Sequence, residues 1–133
     1  MRAKRSYTTD RAIDEIGHDP DTLELLDMAN LVEAETGLAG IIYVSTQQGT
    51  HGPRVKWYPS RPKSRGDDCL SVTIAADPKV FNHRIPKAVE TRMADSLKGW
   101  VALNHQELLD FWQNGWKWTR TEVTAFFDNL KKV

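Results

Sequence analysis

The 133-residue chain is 40% apolar and 27% charged, which suits one folded domain and excludes a disordered, collagenous or repeat protein. No apolar run approaches the roughly 20 residues of a membrane-spanning helix. Eighteen basic and eighteen acidic residues cancel, but unevenly: residues 1–40 hold nine acids against four bases, residues 41–66 hold five bases and no acid, and residues 67–133 hold nine of each.

The single cysteine, Cys69, excludes an internal disulfide and a cysteine-based zinc site and fits a reducing compartment. The basic N-terminus is not followed by the apolar stretch of a signal peptide, so the expected location is the cytoplasm, without a membrane partner. The first eight residues are polar and expected to fray. A short helix is expected from Asp10 to Ile16, and a stronger one from Asp19 or Asp21 to Gly37. The second has acids at its positive end and an apolar face of Leu23, Leu26, Met28, Leu31 and Val32.

The pattern then changes to period two. Ala39 to Val44 is apolar and β-branched and reads as a strand. Gln47 to Gly52 is a turn. Arg54 to Tyr58 reads as a second strand, with Val55 and Trp57 on one face and Arg54, Lys56 and Tyr58 on the other. Ser60 to Asp68 is a polar, basic loop. Cys69 to Ala76 is the third strand, with Leu70, Val72, Ile74 and Ala76 alternating with smaller or polar residues. Asp77 to His83 reads as irregular.

Pro86 opens a helix that carries Val89, Met93, Leu97, Trp100 and Val101 on one side. Asn104 with Glu107, and Thr119 with Glu122, have the spacing of capping boxes that start two further helices. Leu108, Leu109 and Trp112 face inward from the first of these; Val123, Phe126, Phe127 and Leu130 form the stripe of the second. The expected architecture is one α+β domain over residues 1–133. It is a three-stranded antiparallel sheet covered by helices, in the order α-β-β-β-α-α-α.

No complete catalytic motif is present. His18, His51, His83 and His105 lack the spacing of helical metal ligands, and the glycines form no phosphate-binding loop, so no metal or cofactor is expected. Cys69 follows two carboxylates, which raise rather than lower a thiol pKa, and reads as a strand residue. Trp116 and Trp118 lie in a helix link and serve either to dock the last helix or to bind a partner.

The segment from Thr50 to Arg65 is the most distinctive. Arg54, Lys56, Arg61, Lys63 and Arg65 are interleaved with Trp57 and Tyr58, a mixture suited to phosphate contact and base stacking. The leading expectation is a non-enzymatic binding or regulatory module that uses this strand and loop for RNA, DNA or an acidic protein. A second reading is a small metal-independent ribonuclease-like toxin, with His51 or His83 moving a proton beside Arg54 or Lys56. A third is a module that dimerises through the Trp116–Trp118 link. The acidic N-terminal region is a candidate mask for the basic strand.

Two stretches, IIYVSTQQGTHGPRVKWYPS and HRIPKAVETRMADSLKGWVALNHQELLDFWQNG, resemble a bacterial family known only as domain-of-unknown-function family 4160. The resemblance spans roughly residues 38 to 114 and runs through Ile85, Pro86, Trp100, Ala102, His105, Leu108 and Trp112. It implies a link to toxin–antitoxin-like pairs but no settled activity. Where that family tends to carry Pro-His-x-His, this chain has Pro53, Arg54, Val55 and Lys56, so no role of those histidines transfers.

Overall fold

In the computed structural model, residues 28–47, 52–63 and 67–133 are described. The expected helix at 10–16, residues 19–27 of the next one, His51 and Arg65 lie outside the described residues.

Alternating apolar residues and short connections produce one antiparallel sheet whose strands follow chain order. These are β1 (Met28–Leu31), β2 (Ile41–Ser45), β3 (Arg54–Tyr58), β4 (Cys69–Thr73) and β5 (Val80–His83). A single helical turn, α1 (Glu33–Thr36), links β1 to β2. After the sheet come α2 (Lys87–Leu103), α3 (His105–Asn114), a 3-10 turn (Gly115–Lys117) and α4 (Arg120–Asn129). The architecture is α+β, as expected, but the sheet has five strands rather than three and the element order differs.

Both extra strands have local causes. Residues 28–31 were expected within a helix that runs to Gly37. Instead they pair with β2, Ala29 opposite Val44 and Leu31 opposite Ile42, which places Ala29 and Leu31 on the core side. Strand pairing overrides helix propensity here, a weak determinant at fractions of a kcal/mol per residue. Among the described residues of the expected helix only α1 is helical, and it does end at Gly37. That residue adopts φ 84° and donates its N–H to the Glu33 carbonyl at 2.8 Å.

At the other edge, the turn around Asp77 and Pro78 closes a hairpin instead of opening an irregular stretch. The Thr73 N–H bonds the Lys79 carbonyl at 3.0 Å, and the Lys79 N–H bonds Thr73 Oγ1 at 2.9 Å. Residues 80–83 then extend as β5, and β4 ends at Thr73 rather than Ala76.

The sheet has two unlike faces. Leu31, Ile42, Trp57, Leu70 and Asn82 lie in one cross-strand row, and Val55, Val72 and Val80 in another. Their apolar members meet Met93, Leu97, Trp100 and Val101 of α2, Leu108 and Phe111 of α3, and Phe126 of α4 in one core. Burial of each large apolar side chain in such a core contributes about 1.5–3 kcal/mol. Phe111 stacks on Phe126 at 4.6 Å between ring centroids, with Trp118 tilted against both. Trp118 therefore docks the last helix, whereas Trp116 is 69% exposed.

The two expected capping boxes have different outcomes. Thr119 and Glu122 form theirs, with the Glu122 N–H on Thr119 Oγ1 at 3.2 Å and the Thr119 N–H on Glu122 Oε1 at 2.8 Å. The Asn104 side chain does not cap α3. Fully buried, it donates to the Trp100 and Lys131 carbonyls at 3.0 Å and accepts the Lys131 N–H at 2.8 Å. It thus ties the segment after α4 to the α2–α3 junction, because a buried amide must satisfy both its donor and its acceptor. No helix among the described residues is long and apolar enough to cross a membrane.

Candidate anion-binding face

The opposite face of the sheet carries the candidate site. One cross-strand row on it runs Asn30, Tyr43, Lys56, Ser71, Phe81; beside it Arg54 faces Thr73, and Cys69 faces His83. The apolar cluster on this side, Tyr43, Tyr58 and Cys69 with Ile41 against it, is built from strand residues alone. Among the described residues, no helix contributes to it.

Strand alternation separates the expected site residues. Arg54, Lys56 and Tyr58 point to this face, and Val55 and Trp57 point to the core, as the period of two requires. Trp57 is only 3% exposed, and its indole N–H donates to the Ala39 carbonyl at 2.8 Å. That contact requires a bare backbone alongside, since Gly40, at φ 91°, has no room for a Cβ against the Trp57 indole. Tyr58 is 2% exposed and meets Tyr43 edge-on at 5.4 Å. Neither Trp57 nor Tyr58 presents a ring for stacking, and both are corrected to packing residues.

The basic residues divide between two grooves. At the start of β3, Arg54 shares a groove of about 400 Å³ with Gly52, Pro53, Ser71, Thr73, Ile74, Phe81 and His83. None of these is acidic, and neither Arg54 nor Lys56 has an ion-pair partner among the described residues. Beyond the end of β3, Arg61 lines a groove of about 340 Å³ with Tyr58, Pro59, Ser60, Pro62, Asp67 and Asp68. There the loop is held by the Lys63 N–H on Asp67 Oδ2 at 2.6 Å, and Asp68 pairs with Arg84 at 2.8 Å. The expected single basic patch is therefore divided: Arg54 and Lys56 lie on the strand, and Arg61 and Lys63 lie in a loop with two carboxylates.

Between the grooves the face is poorly hydrated. Burial lowers the Lys56 ammonium pKa, and the like charge of Arg54 adds to this, against a smaller opposing effect from Cys69. Burial raises the Tyr58 hydroxyl well above the usual tyrosine range, helped by Cys69 and Tyr43. Burial also raises the Cys69 thiol, with Lys56, Tyr58 and Arg54 acting in opposition. Cys69 is thus a buried protonated thiol, the wrong state for a nucleophile.

His83 was named from the sequence only as a weak proton carrier, and the fold places it in the groove with Arg54. Ser71, Thr73 and Phe81 were not named. Phe81 and His83 alternate with Val80 and Asn82, and that short period was the signal available. Among the described residues, no group of three or more His, Cys, Asp or Glu side chains is arranged to hold a metal ion.

No family model matches the sequence, and no similar curated protein or solved structure was found.

Proposed function

We propose that the protein is a non-enzymatic module that binds nucleic acid through the sheet face opposite its helix-packed core, with Arg54 and Lys56 contacting phosphates. The observation that carries this reading is the pairing of two cations on one strand face, with no carboxylate partner and no acid lining the neighbouring groove among the described residues. Lys56 is held where its charge is poorly hydrated and lies beside a like charge. A phosphate oxygen near both side chains relieves the repulsion and replaces the missing hydration. An antitoxin-like or toxin-like pairing fits the family resemblance and is part of the same reading.

A second reading, ribonuclease-like chemistry, is favoured by one observation, the placement of His83 in the groove with Arg54. Attack by a 2′-hydroxyl needs one group to accept its proton and another to protonate the departing 5′-oxygen. Among the described residues lining the groove, His83 is the only imidazole and there is no carboxylate, so binding without cleavage is the better fit.

The test is titration of labelled single-stranded RNA and duplex DNA across a salt series, with each mixture also checked for cleavage. Salt-sensitive binding, weakened by Arg54→Ala and Lys56→Ala, supports the module reading. Cleavage abolished by His83→Ala replaces it with the second reading. No binding at low salt overturns both.

A further inference from the structure

An isolated exposed aromatic is ordinary protein surface. Phe81 differs in its surroundings. It is 54% exposed, on the sheet face opposite the helix-packed core, and lines the same groove as Arg54, Ser71, Thr73 and His83. The register places Phe81 directly opposite Ser71, and Arg54 opposite Thr73, on the two sides of β4. Neighbouring strands lie about 4.8 Å apart and the two residues are offset by about 7 Å along them, so the Arg54 and Phe81 backbones are separated by roughly 12 Å. Both side chains reach into the space between them.

We infer that this groove binds one nucleotide of a single strand, its unpaired base stacked on Phe81 and its phosphate held by Arg54. The inference rests on the nucleic-acid reading above and adds the form of the ligand. Its groove of about 400 Å³ lies within the size range of small-molecule sites. The hydroxyls are suitably placed. Thr73 Oγ1 already accepts the Lys79 N–H at 2.9 Å, which leaves its own proton to donate to a base or sugar oxygen. Among the described residues no acid lines the groove, so none of them repels a phosphate there. A duplex offers Phe81 only base edges, because the ring faces are covered by neighbouring base pairs. A single strand exposes those faces, and stacking on an aromatic side chain then adds about 1–3 kcal/mol per base whatever the sequence.

The test uses the full chain and three probes of equal length: a single strand containing 2-aminopurine, an abasic strand, and a duplex. On binding, 2-aminopurine fluorescence is expected to change as the base stacks, and the single strand to bind about tenfold more tightly than the abasic strand. Phe81→Ala is expected to lower single-strand affinity about tenfold, leave duplex and abasic binding within twofold, and remove the fluorescence change. Phe81→Tyr is expected to retain it. Because Phe81 is exposed, both variants are expected to melt like the parent, which thermal unfolding checks. Binding of the single strand with no effect of Phe81→Ala overturns this inference and leaves the nucleic-acid reading standing. Tighter binding of the duplex also overturns it. No binding of any probe overturns the inference and the reading together.

Discussion

The two ends of β3 carry similar charge in different settings. At the Arg54 end Arg54 lines a groove with no acid among its described residues, beside a half-exposed aromatic ring and two hydroxyls. At the far end Arg61 lines a groove with Asp67 and Asp68, which respectively hold the Lys63 backbone and pair with Arg84. A count of cations along the sequence treats the two ends alike. On the proposed reading their surroundings give them different work: the first end meets an anion, whereas at the second Asp67 and Asp68 are engaged by the Lys63 backbone and Arg84.

The largest expected effect separates the two ends by single substitutions. Arg54→Ala removes a charge-assisted phosphate contact worth about 1.5–3 kcal/mol and lowers nucleic-acid affinity at least tenfold. Arg61→Ala is expected to stay within twofold of the parent. Fluorescence anisotropy at low salt measures both, and equal losses would break the comparison. Salt then counts the contacts. If Arg54 and Lys56 neutralise two phosphates of a single strand, the slope of log affinity against log salt is about −1.4, a loss of about sevenfold between 50 and 200 mM. A slope twice as steep would bring the Arg61 end into the contact surface.

A smaller effect tests the far end from the other side. Asp67→Asn with Asp68→Asn removes the two acids from its groove and is expected to raise affinity about two- to fourfold in the same assay. Unchanged affinity would mean that the charge of the far end is not felt at the ligand. The smallest effect concerns the ground between the grooves. Tyr58 and Cys69 keep their protons in the folded chain at alkaline pH values where the unfolded chain releases them, so their contribution to stability is lost as pH rises beyond the ordinary thiol and phenol values. Lys56 has the opposite sign, since its folded-state pKa is lowered and the unfolded chain binds the extra proton until pH passes the ordinary lysine value. The Tyr58 shift is the large one, so the urea midpoint is expected to fall as pH rises beyond the ordinary phenol value. Tyr58→Phe is expected to flatten that fall.

Much of this fold was legible in the sequence. The pattern in residues 39–44, 54–58 and 69–76 located the three central strands, the last of them three residues too long, and the spacing of Met93, Leu97, Trp100 and Val101 located the inner face of α2. Both edge strands were missed for the same reason. Four residues such as Met28–Leu31 or Val80–His83 carry too few periods to distinguish strand from helix or loop, and each owes its form to a partner strand. Thr119 and Asn104 show the same limit at a single residue. Thr119 caps its helix through neighbours three positions away, as its sequence suggested, whereas Asn104 bonds Lys131, 27 positions on.

The candidate site was half legible. Arg54 and Lys56 could be placed on one strand face by alternation alone, and so could the inward turn of Trp57. The division of the basic residues between two grooves depended on the loop fold that brings Asp67 and Asp68 beside Arg61. The arrival of Phe81 and His83 beside Arg54 depended on β5, which local pattern did not reveal.

The most direct measurement is backbone amide chemical-shift mapping of the full chain during titration with a short single-stranded oligonucleotide. Saturable shifts are expected at Arg54, Lys56, Ser71, Thr73, Phe81 and His83, with Arg61, Lys63, Asp67 and Asp68 left in place. Shifts concentrated at the Arg61 loop, or spread evenly over both ends of β3, would contradict the assignment of the ligand to the Arg54 groove.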